Sequence, residues 1–107
     1  MIKRELQTVI QGFAKTYPVV TITGPRQSGK TTLAKMAFPS YTYCNLEHPE
    51  NRLLAEKDPK SFFKQFPSPL IIDEVQRVPE ILSYIQVMVD EQKNNGAFIL
   101  TGSHQLT

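Results

Sequence analysis

A single cysteine, Cys44, excludes an internal disulfide. Together with His48 and His104, at unrelated spacings, it gives no zinc signature either. No apolar run approaches the roughly 20 residues needed to span a bilayer. The opening residues Met1-Ile2-Lys3-Arg4-Glu5 lack the unbroken apolar stretch of a signal peptide. Internal repeats, linkers and low-complexity segments are absent. Basic residues do not cluster, and the net charge is only +2, so charge lends no support to nucleic-acid binding. These absences point to a cytoplasmic chain with no membrane association. Its 107 residues suit one small domain, and 40% apolar with 21% charged content argues against disorder.

Along the chain, two periodicities alternate. Ile2, Leu6, Val9, Ile10 and Phe13 repeat at helical spacing over residues 2–15, and Tyr17-Pro18 ends that helix. Val19-Val20-Thr21-Ile22-Thr23 is β-branched throughout, as expected of a strand buried on both faces. A glycine-containing loop follows, then a helix from near Gly29 to Pro39. Residues 41–46 read as a second strand, and 50–57 and 59–66 as short helices. Leu70-Ile71-Ile72-Asp73 is a buried strand ending in acid. Pro79 opens a helix with Ile81, Leu82, Ile85, Met88 and Val89 on one face, capped by Asn94-Asn95-Gly96. Ala97 to Thr101 is a fourth strand. This alternation predicts an α/β fold, a parallel sheet with helices on both faces.

The pattern G-x-x-x-x-G-K-[ST] occurs at Gly24-Pro25-Arg26-Gln27-Ser28-Gly29-Lys30-Thr31. It arises by chance in a chain of this length in under about 1% of cases, and a strand before it and a helix after it are its proper setting. Backbone N–H groups must wrap phosphate oxygens, which side chains at Gly24 or Gly29 would obstruct. Lys30 supplies a point charge to the β- and γ-phosphates. The Thr31 hydroxyl can ligate Mg²⁺. The helix beyond aims its positive end at the same phosphates. The loop and Thr32 thus form the expected nucleotide site, for ATP or ADP with Mg²⁺. Arg26 and Gln27 sit at variable positions, where solvated side chains are expected.

Leu70-Ile71-Ile72-Asp73-Glu74 has the form of a Walker B strand. Asp73 is expected at the magnesium ion opposite Thr31, and Glu74 as the base that polarises the attacking water. A glutamate there favours an ATPase over a kinase, which activates a substrate hydroxyl. Cys44 reads as a small core residue, and His48 and His104 as surface or capping residues. Arg77 reads as a surface ion-pair partner, with charge sensing as the alternative. Tyr17 reads as packing, with adenine stacking as the alternative.

The run Ile72-Asp73-Glu74-Val75-Gln76-Arg77-Val78-Pro79-Glu80-Ile81-Leu82, then Asp90-Glu91, then Phe98-Ile99-Leu100-Thr101-Gly102-Ser103, resembles the prokaryotic AAA-type ATPases of the AAA_14 group. So do the P-loop, continued by Thr32, and Asn45-Leu46-Glu47 at the end of the second strand. The resemblance runs from about Val19 to Ser103. It implies an additional-strand ATPase fold of order 2-3-4-1 followed by a fifth strand, with ATP and Mg²⁺ as ligands. It also implies that the fourth strand, between the other two functional strands, reads the γ-phosphate through Ser103 or Thr101. Lys30, Glu74 and Ser103 are then the expected catalytic set, with Thr31 and Asp73 at the metal.

Such relatives continue into a fifth strand, a helical lid and a C-terminal domain. This chain is therefore expected to be a truncated ATPase domain, its helix at 2–15 preceding a nucleotide-binding core at 19–103. Without a fifth strand the P-loop strand is an exposed edge, to be covered by a further domain or by a second copy. Three functions follow in order of expectation: an ATPase module hydrolysing ATP in its full-length setting; a nucleotide-binding switch or remnant without significant hydrolysis; and a small-metabolite kinase.

Overall fold

The computed structural model describes residues 2–25 and 28–103. Its elements are α1 (Ile2–Thr16), β1 (Val19–Thr23), α2 (Lys30–Ala37), β2 (Thr42–Asn45), α3 (Pro49–Lys57), α4 (Pro59–Gln65), β3 (Leu70–Asp73), a 3-10 turn (Val75–Arg77), α5 (Ile81–Gln92) and β4 (Phe98–Gly102). The strands form one parallel sheet in the order β1-β4-β3-β2. That is the expected order, and it sets β1, β4 and β3 side by side with β4 in the middle.

Strand alternation divides the core into two layers. Val20, Ile71 and Ile99 face α1 and α2, where Ile10, Ala14, Leu33, Ala34 and Phe38 close over them. Cys44, Ile72, Leu100 and Phe98 face the other way, packed with Ala55, Phe62, Ile81 and Ile85 of α3, α4 and α5. β3 and β4 are buried at every position, consistent with their unbroken apolar runs.

Three sequence expectations need correction. β1 is not buried on both faces: Thr21 and Thr23 are exposed, and only Val20 is fully buried. Its place at the end of the sheet explains this, with β4 as its one strand neighbour among the described residues. The second correction concerns the apolar helix faces. On α1, Ile10 is buried but Leu6, Val9 and Phe13 remain largely exposed; the side chain of Ile2 lies outside the described residues. On α5, Ile81 and Ile85 are buried, Met88 and Val89 pack at the margin, and Leu82 is exposed. Each helix presents a narrower stripe to the sheet than its apolar residues span.

The third correction is at the ends of α5. The segment from Val75 to Glu80 winds as short turns, with Ile81 N–H donating to the Val78 carbonyl at 3.0 Å, so the helix begins after Pro79 rather than at it. It ends at Lys93, whose φ of 55° supplies the left-handed cap and whose N–H donates to the Val89 carbonyl. Gly96 serves the next turn instead, at φ 70°. Its N–H donates to the Tyr17 carbonyl at 2.8 Å, while the Asn95 amide donates to the Lys15 carbonyl at 2.9 Å. A Cβ at Gly96 would lie 2.9 Å from both the Ala14 carbonyl and the Tyr41 hydroxyl. Gly96→Ala is therefore expected to lower the melting temperature by about 5–10 °C, roughly 1–2 kcal/mol. An unchanged thermal melt by circular dichroism would show that the turn relaxes freely.

Candidate functional site

In a parallel sheet all C-terminal strand ends lie along one edge, so β1, β4 and β3 deliver their last residues to a common place. From β1 the chain enters the loop at Gly24 and reaches α2 through Gly29. Gly29 precedes the helix at φ 87°, ψ 11°, a left-handed conformation that costs a larger residue energy. Among the described residues no side chain caps α2, so its first N–H groups are available as donors for an anion. Lys30 is buried, and its ammonium folds back to donate to the Gly24 carbonyl at 3.1 Å and the Pro25 carbonyl at 2.8 Å.

Asp73 ends β3 among hydroxyls. Thr31 donates to its Oδ2 at 2.7 Å, and Tyr43, from β2, donates to the same oxygen at 2.6 Å. Thr101, from β4, donates to Oδ1. Burial, then the hydrogen bond to Asp73, holds the Tyr43 hydroxyl well above its ordinary pKa, so it keeps its proton. The Lys35 ammonium lies 3.9 Å from the centre of the Tyr43 ring and fixes its other face.

Glu74 follows at φ 57°, ψ 52°, left-handed although not glycine. Its N–H donates to the Thr101 hydroxyl at 3.1 Å, so one buried threonine locks both acids. The Glu74 carboxylate accepts from the Gln76 amide at 2.7 Å, and that amide also donates to the Ser103 hydroxyl at 3.2 Å.

Ser28, Gly29, Lys30, Thr31, Thr32 and Glu74 line an open cleft of about 310 Å³, within the range of small-ligand sites. Asp73 adjoins it through Thr31, and Ser103 through Gln76 and Glu74. Two wider surface grooves, of about 490 and 600 Å³, contain none of these side chains. Gly24 is buried beside Lys30 and Pro25 is exposed. Arg26, Gln27 and His104 lie outside the described residues.

The remaining candidates fall elsewhere. Thr101 is wholly buried and engaged with the acids, which leaves Ser103 as the freer polar group at that strand end. Tyr17 precedes β1, at the opposite end of the strand from the phosphate loop, and its ring meets Phe13 with centroids 6.2 Å apart. It is 53% exposed, so it neither packs in the core nor reaches the cleft. Arg77 approaches Glu47 at 3.8 Å. His48 precedes α3, exposed, 3.8 Å from Glu50. Cys44 is a core residue whose thiol is pushed up to about 12, first by burial and then by the charge of Asp73.

Sequence reasoning missed Tyr43 and Gln76. Tyr43 had a usable signal: it lies two residues before Asn45, the register partner of Asp73, and so shares its face. Gln76 had none, because a turn has no periodicity to read.

Similarity to known proteins agrees with this geometry. Residues 16–107 match the profile of the AAA_14 family, described as an AAA domain. An uncharacterized protein of Mycobacterium tuberculosis, Rv2008c, is 36% identical over 88 residues. That alignment covers 80% of this chain and 20% of the relative. The uncharacterized protein Mb2031c of Mycobacterium bovis matches with the same figures. The chain thus spans about a fifth of the length of these curated relatives. Among solved structures, C. elegans PCH-2 superposes with a TM-score of 0.59 at 16% identity, over 95% of this chain and 36% of that one. That likeness is one of fold.

Proposed function

Since the chain belongs to the AAA_14 family of AAA domains, we propose that it is the nucleotide-binding part of an ATPase, taking Mg-ATP in the cleft at the start of α2. One observation carries the reading. Thr31, at the head of α2, meets Asp73, at the end of β3, at 2.7 Å, with Lys30 and Glu74 beside them in one cleft. Two oxygen donors and an acid next to an uncapped helix start suit a metal-bound polyphosphate.

In this reading Lys30 leaves the Gly24 and Pro25 carbonyls and turns to the phosphates. Thr31 and Asp73 would hold the magnesium ion, which supplies charge neutralisation of the phosphates. Ser28, Gly29 and Thr32 contribute donors around them. Glu74 accepts the proton of the attacking water, and Ser103 stands at the end of the neighbouring strand to sense the γ-phosphate.

A second reading, nucleotide binding without turnover, rests on the cradle alone: the Lys30 loop and the Thr31–Asp73 pair can hold a nucleotide without a base. Calorimetric titration of Mg-ATP followed by a phosphate-release assay separates the two. Saturable binding with release supports the ATPase, and binding without release supports the switch. Absence of any binding heat, with no shift of the thermal melt by Mg-ATP, overturns both.

A further inference from the structure

Beyond the P-loop and the two acids, we infer that Gln76 is a positioning residue for Glu74. Its amide ties the Glu74 carboxylate to the Ser103 hydroxyl and so fixes where the base faces. This rests on the ATPase reading for its consequence, though not for its geometry.

The turn that carries Gln76 is anchored on both sides. Val75 and Val78 are buried in the core, Arg77 N–H donates to the Glu74 carbonyl at 3.1 Å, and Val78 N–H donates to the Val75 carbonyl at 3.1 Å. The left-handed backbone of Glu74 reverses the chain, so the side chain two residues later returns beside the glutamate. Gln76 Nε2 has two hydrogens, matched by Glu74 Oε1 at 2.7 Å and Ser103 Oγ at 3.2 Å.

The amide orientation follows from its partners. Reversing it would set the amide oxygen against a carboxylate oxygen, which has no proton to offer. In the orientation present, Gln76 Oε1 is buried with no hydrogen-bond partner among the described residues. A left-handed glutamate and an orphaned amide oxygen are each unfavourable, and they occur two residues apart. Such features persist where the surroundings hold a group for function rather than for stability. Ser103 links the assembly to the end of β4, so the base and the candidate phosphate sensor are joined through one amide.

The test compares wild type, Gln76→Ala, Glu74→Gln and the double variant. Loss of a hydrogen bond to a charged group should lower kcat by about 10- to 100-fold. KM and Mg-ATP affinity should stay within about twofold, since Gln76 lines no part of the phosphate loop. Because Gln76 acts through Glu74, its loss should add under about twofold in the Glu74→Gln background. A kcat within about twofold of wild type, or an equal further loss in the Glu74→Gln background, overturns the inference. Should wild type release no phosphate, the hydrolysis reading alone fails, and side-chain amide NMR decides the inference. Glu74→Ala should then shift the Gln76 amide protons upfield, while Glu80→Ala leaves them in place. Unmoved Gln76 amide protons in Glu74→Ala would overturn the tie.

Discussion

Lys30→Ala is expected to weaken Mg-ATP binding by at least about 100-fold, the scale of truncating one partner of a buried, hydrogen-bonded charge pair. Lys30 is buried at 7% exposure, and its ammonium donates to two carbonyls of its own loop, at 3.1 and 2.8 Å. Those bonds satisfy the cation within its own loop, and a phosphate oxygen would offer it a full negative charge in exchange. Alanine removes the one lysine lining the cleft among the described residues. The helix start and Gly29 keep their donors, so a weak residual affinity for phosphate remains. The fold should survive, because Leu33, Ala34 and Ala37 anchor α2 in the core. Calorimetric titration beside a thermal melt checks both points. Near wild-type affinity in a folded Lys30→Ala protein would remove the phosphate loop from the proposal.

Glu74→Gln is expected to act on turnover and not on binding. Replacing a positioned general base by its isosteric amide should lower phosphate release by about 10²- to 10⁴-fold. Mg-ATP affinity should change little, because Glu74 lines the cleft without belonging to the loop proposed to hold the phosphates. The substitution keeps the contacts that set the position. Glu74 N–H still donates to Thr101, and the new amide oxygen still accepts from Gln76. Thus a fall in rate reports chemistry rather than misfolding. Single-turnover phosphate release with a parallel binding titration is the measurement. Equal rates in the two proteins would assign water activation to another group.

What could be read in advance follows the physics of each segment. β3 and β4 were legible because both are buried on two faces, which demands unbroken apolar runs such as Leu70-Ile71-Ile72. The phosphate loop was legible because its requirement is local: a left-handed turn at Gly29 and a lysine at the next position. β1 looked doubly buried because Thr21 and Thr23 are β-branched, a preference that an exposed edge strand satisfies equally well. The stop of α5 was misplaced because Lys93 adopts a conformation that Asn94-Asn95-Gly96 advertises more strongly. Tyr43 and Gln76 needed tertiary information: one reaches Asp73 across two paired strands, the other depends on the left-handed turn at Glu74.

The three hydroxyls around Asp73 carry a consequence of their own. Thr31, Tyr43 and Thr101 all donate to one carboxylate. A hydroxyl can both give and accept, and it changes role by rotating about a single bond. Their protons point at the acid and spread its charge. In the proposed Mg-ATP reading, Thr31 would turn its proton away and offer a lone pair without moving its oxygen. An ammonium in that position could only donate, and would have to be expelled. The role change would thus fall on Thr31 alone, with Tyr43 and Thr101 still donating to Asp73, and would need no rebuilding of the strand ends that carry them.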